Sequence, residues 1–276
     1  MCGICGQVSF TTDLSKYESQ FYNMQNKLYS RGPDRHGEFF SQNAVLMHRR
    51  LAVVDIEKGN QPMTYAVDGA VFTLCYNGEL YNTNEIRNTL ESRGYNFFSH
   101  SDTEVVLKAY VEYREKCVDM FNGIFAFAVW EHETRRLFVA RDRMGVKPLF
   151  YSMTKSGFVF ASEIKALLEH SEIEPVIDTR SLAEIMIIGP GRTPGCGVFK
   201  RISEIRPAHY AYYDETGLTI HRYWNVEAHE HSDSFEQTAE KVRYLVTDSI
   251  KRQLVSDVPL CTFLSGGLDS SLISSR

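Results

Sequence analysis

The chain has 276 residues, of which 43% are hydrophobic and 24% charged, and its 35 acidic and 30 basic residues give a net charge of −5. The scattered basic residues argue against a nucleic-acid surface, and no stretch approaches the roughly 20 apolar residues that a membrane-spanning helix needs. The length favours two domains. Because the N-terminus lacks the basic and apolar segments of a signal peptide, the six cysteines predict reduced thiols in a cytoplasmic protein.

The N-terminal hexapeptide MCGICG places a cysteine directly after the initiator methionine. Removal of Met1 would leave Cys2 with a thiol and a free α-amine on the same residue. A thiol has a pKa of about 8.5 and an α-amine one of about 8, so the amine can act as general base for the thiol. Two other interpretations stay open here. Cys2 and Cys5 form a CxxC motif, which is typical of zinc and redox sites, and a terminal cysteine can also have no role.

A strand and a helix are the first elements predicted after the hexapeptide. Residues 6–10, GQVSF, alternate polar and apolar side chains as a half-buried strand does. Apolar residues at helical spacing predict a helix over residues 17–32, which Pro33 stops. The following loop, RGPDRHGEF, is rich in Gly, Pro and Asp, and it either orders around a ligand or only connects helix and strand.

Two arginines interrupt the next apolar run, AVLMHRRLAVVD, at residues 44–55. Burying an arginine is costly unless it meets an anion, so Arg49 or Arg50 is expected to face a carboxylate or the solvent. From this segment alone, an edge strand with exposed arginines is the favoured interpretation.

The strand VFTLCY leads into the dipeptide Asn77-Gly78, for which two interpretations are open. Asn-Gly is a strong signal for a hairpin turn. At a strand end, the Asn77 and Gly78 amides could instead donate hydrogen bonds to a developing oxyanion. A helix over residues 83–93 follows, and a second helix begins near Ser101 or Asp102, either of which fits as its N-cap. In a pocket, Asp102 could also accept an ammonium group.

The stretch from residue 121 to residue 222 is predicted to complete a stack of sheets with helices outside. Its first strands are apolar on both faces, so other elements must cover both faces. A strand and a helix over residues 158–170 follow. A hairpin with its turn at residues 215–217 comes last.

A polar shift in composition near Ser232 indicates a second domain. Ser234 and Gln237 form a capping box for a long amphipathic helix. The segment VPLCTFL, residues 258–264, is predicted to be a short buried strand that leads into SGGLDSS, residues 265–271, and then a helix. The free amides, glycines and hydroxyls of this loop favour phosphate binding, although the Walker A pattern is absent. A flexible Gly-Ser turn is the alternative.

Ten motifs in this order resemble those of the glutamine-hydrolysing asparagine synthetases: MCGICG, RGPD, HRRLAVVD, QPM, YNGELYN, SDTEVVL, FNGIFAFAVWE, ARDRMGVKPLFY, FASEIKALL and SGGLDSS. The resemblance covers nearly the whole chain and rests on the order of the motifs. It implies an α+β fold whose first domain, residues 2–210, is an N-terminal nucleophile (Ntn) glutaminase domain, a four-layer αββα sandwich. Residues 211–276 would hold a linker hairpin and the truncated start of an α/β ATP-pyrophosphatase domain.

The resemblance also implies a role for each matching residue. Cys2 would attack the side-chain amide of glutamine, and Asn77 and Gly78 would form the oxyanion hole. Arg50 would grip the substrate carboxylate and Asp102 its amino group, and the rest of the glutamine pocket would be Leu51, Ala52, Val53, Val54 and Glu79. The ATP-binding segment would be Leu264, Ser265, Gly266, Gly267, Leu268, Asp269, Ser270 and Ser271.

In complete enzymes of this family, ammonia attacks a β-aspartyl adenylate made from aspartate and ATP. The implied substrates are therefore glutamine, aspartate and ATP, with Mg²⁺ accompanying ATP through ligands that cannot all be assigned in this sequence. Glutamine hydrolysis itself would need no cofactor. No nucleic-acid or membrane partner is implied, and a homodimer stays open.

The family's synthetase domain continues for a few hundred residues beyond the SGGLDSS loop. This chain alone is therefore expected to hydrolyse glutamine and to make no asparagine. One alternative is another amidotransferase whose ATP-pyrophosphatase domain acts on a different acceptor. The other is a CxxC metal or redox module, against which the lack of a second CxxC or a His pair at zinc spacing argues. Cys5 is then expected to be incidental core.

Overall fold

A computed structural model describes residues 1–189 and 191–275 of the chain. The strands are β1 Gly3–Val8, β2 Arg35–Phe40, β3 Ala44–Arg50, β4 Met63–Val67, β5 Ala70–Leu80, β6 Gly123–Glu131, β7 Arg136–Arg141, β8 Phe150–Thr154, β9 Gly157–Ala161, β10 Ile202–Glu204, β11 His209–Asp214 and β12 Gly217–Arg222. The α-helices are α1 Glu18–Lys27, α2 Thr83–Ser92, α3 Asp102–Tyr113, α4 Cys117–Met120, α5 Ile164–Leu167, α6 Thr179–Ala183, α7 Phe235–Arg252 and α8 Leu268–Ser274. Short 3-10 helices lie at Leu14–Tyr17 and Arg114–Lys116, and one π-helical turn at Glu184–Ile188.

Two six-stranded antiparallel sheets form the centre of the molecule. The first has the strand order β10-β8-β9-β1-β3-β2, and the second has the order β12-β11-β7-β6-β5-β4. Side chains alternate between the two faces of a strand, so each sheet can bury both faces. In β1, for example, Ile4 and Val8 pack into the cluster shared with the second sheet, whereas Cys5 packs into the cluster beneath α1.

Three buried clusters give the layers of the sandwich. One cluster lies between the two sheets and contains residues of β1 and β3 together with residues of β5, β6 and β7. A second joins the first sheet to α1 and α5, and a third joins the second sheet to α2 and α3. The order of layers is therefore helix, sheet, sheet, helix, which confirms the predicted αββα arrangement.

The arginine-containing strand is not an edge strand, so that interpretation is wrong. β3 lies between β1 and β2, with six residue pairs on each side. Arg50, the last residue of β3, is only 4% exposed. The isolated segment could not reveal this position because strand neighbours come from distant parts of the sequence.

The Asn77-Gly78 dipeptide does not form a hairpin turn. β5 runs straight through it to Leu80 and pairs with β6 from Phe72 opposite Glu131 to Leu80 opposite Gly123. Nine consecutive cross-strand pairs outweigh the local turn preference of two residues. The helix predicted to follow is confirmed as α2, and Ser101 is the N-cap of α3, accepting a hydrogen bond from the Thr103 amide.

The hairpin of β11 and β12, assigned to the linker in the sequence analysis, extends the second sheet. β11 pairs with β7 over four residues, from Tyr210 to Tyr213, so the expected boundary at residue 210 falls inside a strand. The predicted turn between the two strands is confirmed, since β11 ends at Asp214 and β12 begins at Gly217.

The long amphipathic helix is confirmed as α7, with the capping box of Ser234 and Gln237. The buried strand expected at residues 258–264 is wrong. This segment is irregular, and its Phe263 side chain is 93% exposed. A strand is stabilised by pairing, and no described strand lies beside this segment. Among the described residues, no helix is long and apolar enough to cross a membrane.

Candidate active site

A cavity of about 100 Å³ lies beside the N-terminus. The two residues before β1, the end of β3 with its following loop, the second half of β5 and the first turn of α3 contribute to its wall. Ala52 does not line the cavity. The other nine residues predicted for glutamine binding and catalysis do: Cys2, Arg50, Leu51, Val53, Val54, Asn77, Gly78, Glu79 and Asp102.

Cys2 is held by its own backbone at the entrance to β1. Its carbonyl accepts a hydrogen bond of 2.8 Å from Nε of Arg31, and Arg31 pairs with Glu163 at 3.0 Å. The thiol Sγ lies 3.7 Å from the carbonyl oxygen of Leu51. Burial raises the pKa of the Cys2 thiol, although a hydrogen bond with the Leu51 backbone and the positive charge of the N-terminus oppose this effect. A thiol in this position therefore needs a base before it can act as a nucleophile.

The free edge of β5 supplies hydrogen-bond donors to the cavity. β4 pairs with β5 only as far as Leu74, and beyond that point the amide of Tyr76 donates to Gln61 at 2.6 Å. The amide of Leu80 donates to Asp102 at 3.1 Å. Backbone N–H groups alternate in direction along a strand, so the Gly78 amide lies on this same edge, between the other two.

Asn77 brings a second donor to the same place. Its side chain is 1% exposed, and Nδ2 has no hydrogen-bond partner among the residues that the structure describes. A buried polar group without a partner costs about 1–3 kcal/mol, so its persistence beside a cavity indicates an acceptor that arrives with a ligand. Together with the Gly78 amide, this group can donate to one oxygen atom.

Position 78 has room for glycine only. A Cβ atom placed there would lie 2.5 Å from a ring carbon of Tyr76 and 2.7 Å from the carbonyl oxygen of Ile124. Both contacts are closer than non-bonded atoms approach. The glycine therefore allows the β5 backbone to lie against the Tyr76 ring at the cavity wall.

Asp102 faces the cavity from the first turn of α3. Its Oδ2 accepts hydrogen bonds from the Tyr76 hydroxyl at 2.9 Å and from the Leu80 amide at 3.1 Å. Burial raises the pKa of the Asp102 carboxyl, and these two donors oppose the shift. Because Ser101 caps α3, the Asp102 carboxylate stays available to a cationic group in the cavity.

Arg50 meets backbone carbonyls, contrary to the expectation of a carboxylate or solvent. Its Nη atoms donate to the carbonyl oxygens of Val54 at 2.9 Å, Asp55 at 2.6 Å and Ile56 at 3.0 Å. These acceptors offset the burial of the guanidinium and shape the loop after β3 over the cavity. Arg49 points elsewhere and donates to the Gln25 carbonyl at 3.3 Å.

The RGPD loop contacts the loop after β3 but does not line the cavity. The Asp34 carboxylate accepts a hydrogen bond of 2.8 Å from the Ala52 amide, which ties this loop to the one after β3. Gly32 packs against the β3 backbone so closely that a Cβ would lie 2.4 Å from the carbonyl carbon of Arg49. Residues 31–34 do not line the cavity wall. The cavity therefore gives no support to the interpretation that this loop orders around a ligand.

The cavity wall also includes polar side chains to which the sequence assigned no role, among them Gln61, Tyr76 and Lys147. Gln61 and Lys147 belong to QPM and ARDRMGVKPLFY, two of the motifs that carried the resemblance. Their place in these motifs could have indicated a role for both residues. Their position in the same cavity as Cys2 follows only from the fold. Cys5, in contrast, is fully buried on the other side of β1, so Cys2 and Cys5 do not form a joint site.

The predicted ATP-binding residues lie outside this cavity. Residues 264–271 run through an exposed loop into α8, with the Ser265 and Ser270 hydroxyls 2.9 Å apart. Asp269 is the one carboxylate of the segment. Across residues 1–189 and 191–275, no group of three or more His, Cys, Asp or Glu side chains is placed to hold a metal ion. The residues present therefore do not fit a Mg²⁺ site by themselves.

Residues 1–224 match the family model of the glutamine amidotransferase domain. The chain belongs to this family. Residues 241–276 of the amidotransferase match a second family model, that of asparagine synthase. The resemblance based on the ten motifs is therefore confirmed by both models.

Curated relatives of this amidotransferase include two named asparagine synthetases. Asparagine synthetase [glutamine-hydrolyzing] 3 of Bacillus subtilis is 53% identical over 99% of this chain and 45% of its own length. Asparagine synthetase B [glutamine-hydrolyzing] of Escherichia coli is 34% identical over 99% of this chain and 44% of its own length. The chain thus spans about half the length of the curated relatives that it matches.

A solved structure supports the fold independently. The glutamine phosphoribosylpyrophosphate amidotransferase of B. subtilis, in complex with ADP and GMP, matches with a TM-score of 0.53 and 18% sequence identity. The match covers 81% of this chain and 49% of that chain. This likeness concerns the fold alone, and it confirms the Ntn-type glutaminase fold.

Proposed function

We propose that this amidotransferase domain hydrolyses glutamine to glutamate and ammonia, with Cys2 as the nucleophile. The observation that carries the proposal is the unpartnered Asn77 amide beside the Cys2 thiol in one cavity. An acyl-transfer reaction needs both a nucleophile and donors for the oxygen that becomes negatively charged.

Removal of Met1 completes the catalytic group. The freed α-amine of Cys2 accepts the thiol proton as sulfur attacks the side-chain amide carbon of glutamine. The amide oxygen takes up the displaced electron pair and accepts hydrogen bonds from Asn77 Nδ2 and the Gly78 amide. When the carbonyl re-forms, the C–N bond breaks and ammonia leaves with the proton from the α-ammonium. Water then hydrolyses the thioester and restores the thiol.

The two charged groups of the cavity suit the amino-acid end of glutamine. Asp102 accepts the substrate ammonium, which offsets the cost of keeping its carboxylate buried. Arg50 binds the substrate carboxylate, which competes with the Val54 and Asp55 carbonyls for the same guanidinium. The other contacts of bound glutamine come from Leu51, Val53, Val54 and Glu79. Ala52 acts through its backbone, which Asp34 holds.

For the whole protein we propose asparagine synthesis. Ammonia would attack a β-aspartyl adenylate formed from aspartate and ATP, with the ATP phosphates at residues 264–271. The name of the 53% identical relative and the asparagine synthase match over residues 241–276 support this proposal. An amidotransferase with another acceptor is the second candidate. Cytoplasmic location, Mg²⁺ with ATP and a homodimer stay predictions.

We also propose that the first domain extends through β12 and that the synthetase part begins before α7. The pairing of β11 with β7 supports a boundary after Arg222. The first family match ends at residue 224 and the second begins at residue 241, which supports the same limits.

The proposal is tested by measuring ammonia and glutamate released from glutamine by the purified chain. The unmodified chain should form the two products in equal amounts, and Cys2→Ala should form neither. Cys261→Ala is the matched control, because Cys261 is exposed and does not line the cavity. Undiminished hydrolysis by Cys2→Ala would refute the assignment. Asparagine formed from aspartate and ATP by this chain would refute its restriction to glutaminase activity.

A further inference from the structure

Lys147 is a buried cation that has no role in the glutamine hydrolysis proposed for this cavity. Its side chain is 2% exposed and lines the same cavity as Cys2, Asn77 and Gly78. An ammonium group in such a place is costly unless an acceptor offsets the lost hydration. A lysine that persists there is therefore expected to act on the cavity contents or on the groups beside it.

The backbone of Lys147 is fixed on both sides by buried charged residues. Its amide donates to the Asp142 carboxylate at 2.9 Å, and its carbonyl accepts from Nε of Arg141 at 2.7 Å. Arg141 also donates to the Gly145 carbonyl at 2.8 Å and pairs with Glu204 at 2.9 Å. This framework orders the loop between β7 and β8 and gives the lysine a defined position.

The tip of Lys147 reaches the chain terminus. Nζ lies 3.1 Å from Sδ of Met1 and 4.0 Å from the carboxylate of Glu79, whose side chain is half exposed. A thioether is a weak acceptor, and an exposed carboxylate at this distance is screened by water. The ammonium is thus poorly compensated, and its nearest partner is the residue that maturation would remove.

We propose that Lys147 is a positioning residue for glutamine hydrolysis, whose fixed positive charge disfavours a proton on the α-amine of mature Cys2. The charge thereby keeps this amine free to accept the thiol proton at neutral pH. The proposal rests on the proposed function, because it concerns the base of that reaction. It gives the motif ARDRMGVKPLFY a role beside the reacting groups of the cavity.

The surrounding charges agree in sign with this role. Burial lowers the pKa of the present terminal amine, that of Met1, and the positive charges of Arg31 and Lys147 lower it further, whereas Cys2 and Glu79 raise it. Burial also lowers the pKa of Lys147, and Glu79, Cys2 and Asp142 counteract this effect. Of the two cations that act on the terminal amine, Arg31 is engaged by the Cys2 carbonyl and Glu163, whereas Lys147 lines the cavity.

The test is the pH profile of kcat/KM for glutamine hydrolysis in the whole chain. Lys147→Met keeps the length of the side chain and removes its charge, and Lys147→Arg keeps the charge. The acidic limb of the profile should move up by about one pH unit in Lys147→Met, which is about a tenfold loss on that limb. It should return in Lys147→Arg. Lys116→Met, an exposed lysine outside the cavity, should match the unmodified chain.

Three results would overturn the proposal while the unmodified chain still releases ammonia. One is an unmoved limb with an equal loss at every pH in Lys147→Met, which is the result of a purely structural role. Another is a loss of activity in Lys147→Arg as large as that in Lys147→Met. This result would make Lys147 itself the proton carrier. The third needs no variant. Acylation of the Cys2 α-amine in the mature chain should titrate below the ordinary α-amine pKa of about 8, and a midpoint at or above that value excludes the effect. An unmodified chain without glutaminase activity would instead refute the proposed function.

Discussion

Asn77 shows how a single residue can be stable in the fold and still be incomplete. Its backbone lies within the long ladder of β5 and β6, whereas its side-chain amide is buried and donates to no described atom. The ladder fixes the position of the amide before any substrate arrives. A donor that is ordered in advance stabilises a developing charge without reorganisation, which is the condition for an effective oxyanion hole.

Replacing Asn77 by Ala should therefore impair chemistry more than binding. Removal of one oxyanion donor costs about 10²–10³-fold in kcat, and the KM for glutamine should change by less than about threefold. Steady-state ammonia release measures both constants. Asn88→Ala, an exposed asparagine of α2, is the control and should leave both unchanged. A large rise in KM with unaltered kcat would assign Asn77 to ground-state binding instead.

The loop after β3 forms part of the cavity wall, and three residues hold it in place. Arg50 binds its carbonyls, Asp34 binds the Ala52 amide, and Asp257 binds it from the segment after α7. Asp257 accepts from the Asp55 amide at 2.7 Å and from His100 Nε2 at 3.0 Å, and its own amide donates to the Val53 carbonyl. The loop after β3 is thus held in part by a residue of the predicted second domain.

Asp257→Ala should loosen this loop. Two hydrogen bonds to a carboxylate are lost, so the KM for glutamine should rise by about tenfold, equivalent to about 1.4 kcal/mol, with little change in kcat. Initial rates at varied glutamine concentrations check this expectation. Asp233→Ala, an exposed aspartate before α7, provides the matched comparison. An unchanged KM would mean that Arg50 and Asp34 suffice to order the loop.

Elements with local signals could be predicted from the sequence, whereas strand neighbours could not. The cap at Ser101, the capping box at Ser234 and the turn before Gly217 lie within a few residues of what they stabilise. The central place of β3 and the continuation of β5 through Asn77 depend on partners many residues away. The exposed segment 258–264 has the local apolar signal of a strand but no neighbouring strand among the described residues to pair with, so it does not form one.

The candidate site was predictable where a motif carried a known role. Cys2, Asn77 and Asp102 were assigned in that way, and the fold brings them to one cavity. Lys147 was not assigned, because the fold alone brings the loop after β7 to the N-terminus, 146 residues away along the chain. No spacing in the sequence encodes that contact.

At the scale of the whole molecule, His48 ties the two sheets together. It lies in β3 of the first sheet, and its Nε2 is 3.1 Å from the Tyr76 carbonyl in β5 of the second sheet. Burial lowers the pKa of His48 to about 3, and the nearby charge of Arg50 acts in the same direction. The contact between the two sheets therefore requires the neutral form of the His48 imidazole.

Acidification should weaken this folded state. The folded chain leaves His48 neutral, whereas the unfolded chain protonates it below a pKa of about 6.5, so stability present above that value is lost as the pH falls toward 3. His48 alone should lower the free energy of unfolding by about 2 kcal/mol between about pH 7.5 and about pH 5. Burial lowers the pKa of His170 too, so it adds a loss of the same sign.

Urea unfolding at the two pH values isolates the contribution of His48. His48→Gln keeps a donor for the Tyr76 carbonyl and cannot titrate, so its stability should depend less on pH by about 2 kcal/mol. His36→Gln, an exposed position in β2, should retain the full dependence of the unmodified chain. The same pH dependence in His48→Gln and the unmodified chain would contradict a buried neutral imidazole.

Acid quenching of the chain during turnover, followed by mass spectrometry, tests directly whether Cys2 is the nucleophile. With glutamine present, we expect a chain that lacks Met1 and carries a glutamyl group on the peptide that begins at Cys2. The glutamyl adduct should be removed under conditions that cleave thioesters, and it should be absent from Cys2→Ala. Ammonia release by a chain that retains Met1, or a glutamyl group on any other residue, would exclude mature Cys2 as the catalytic group.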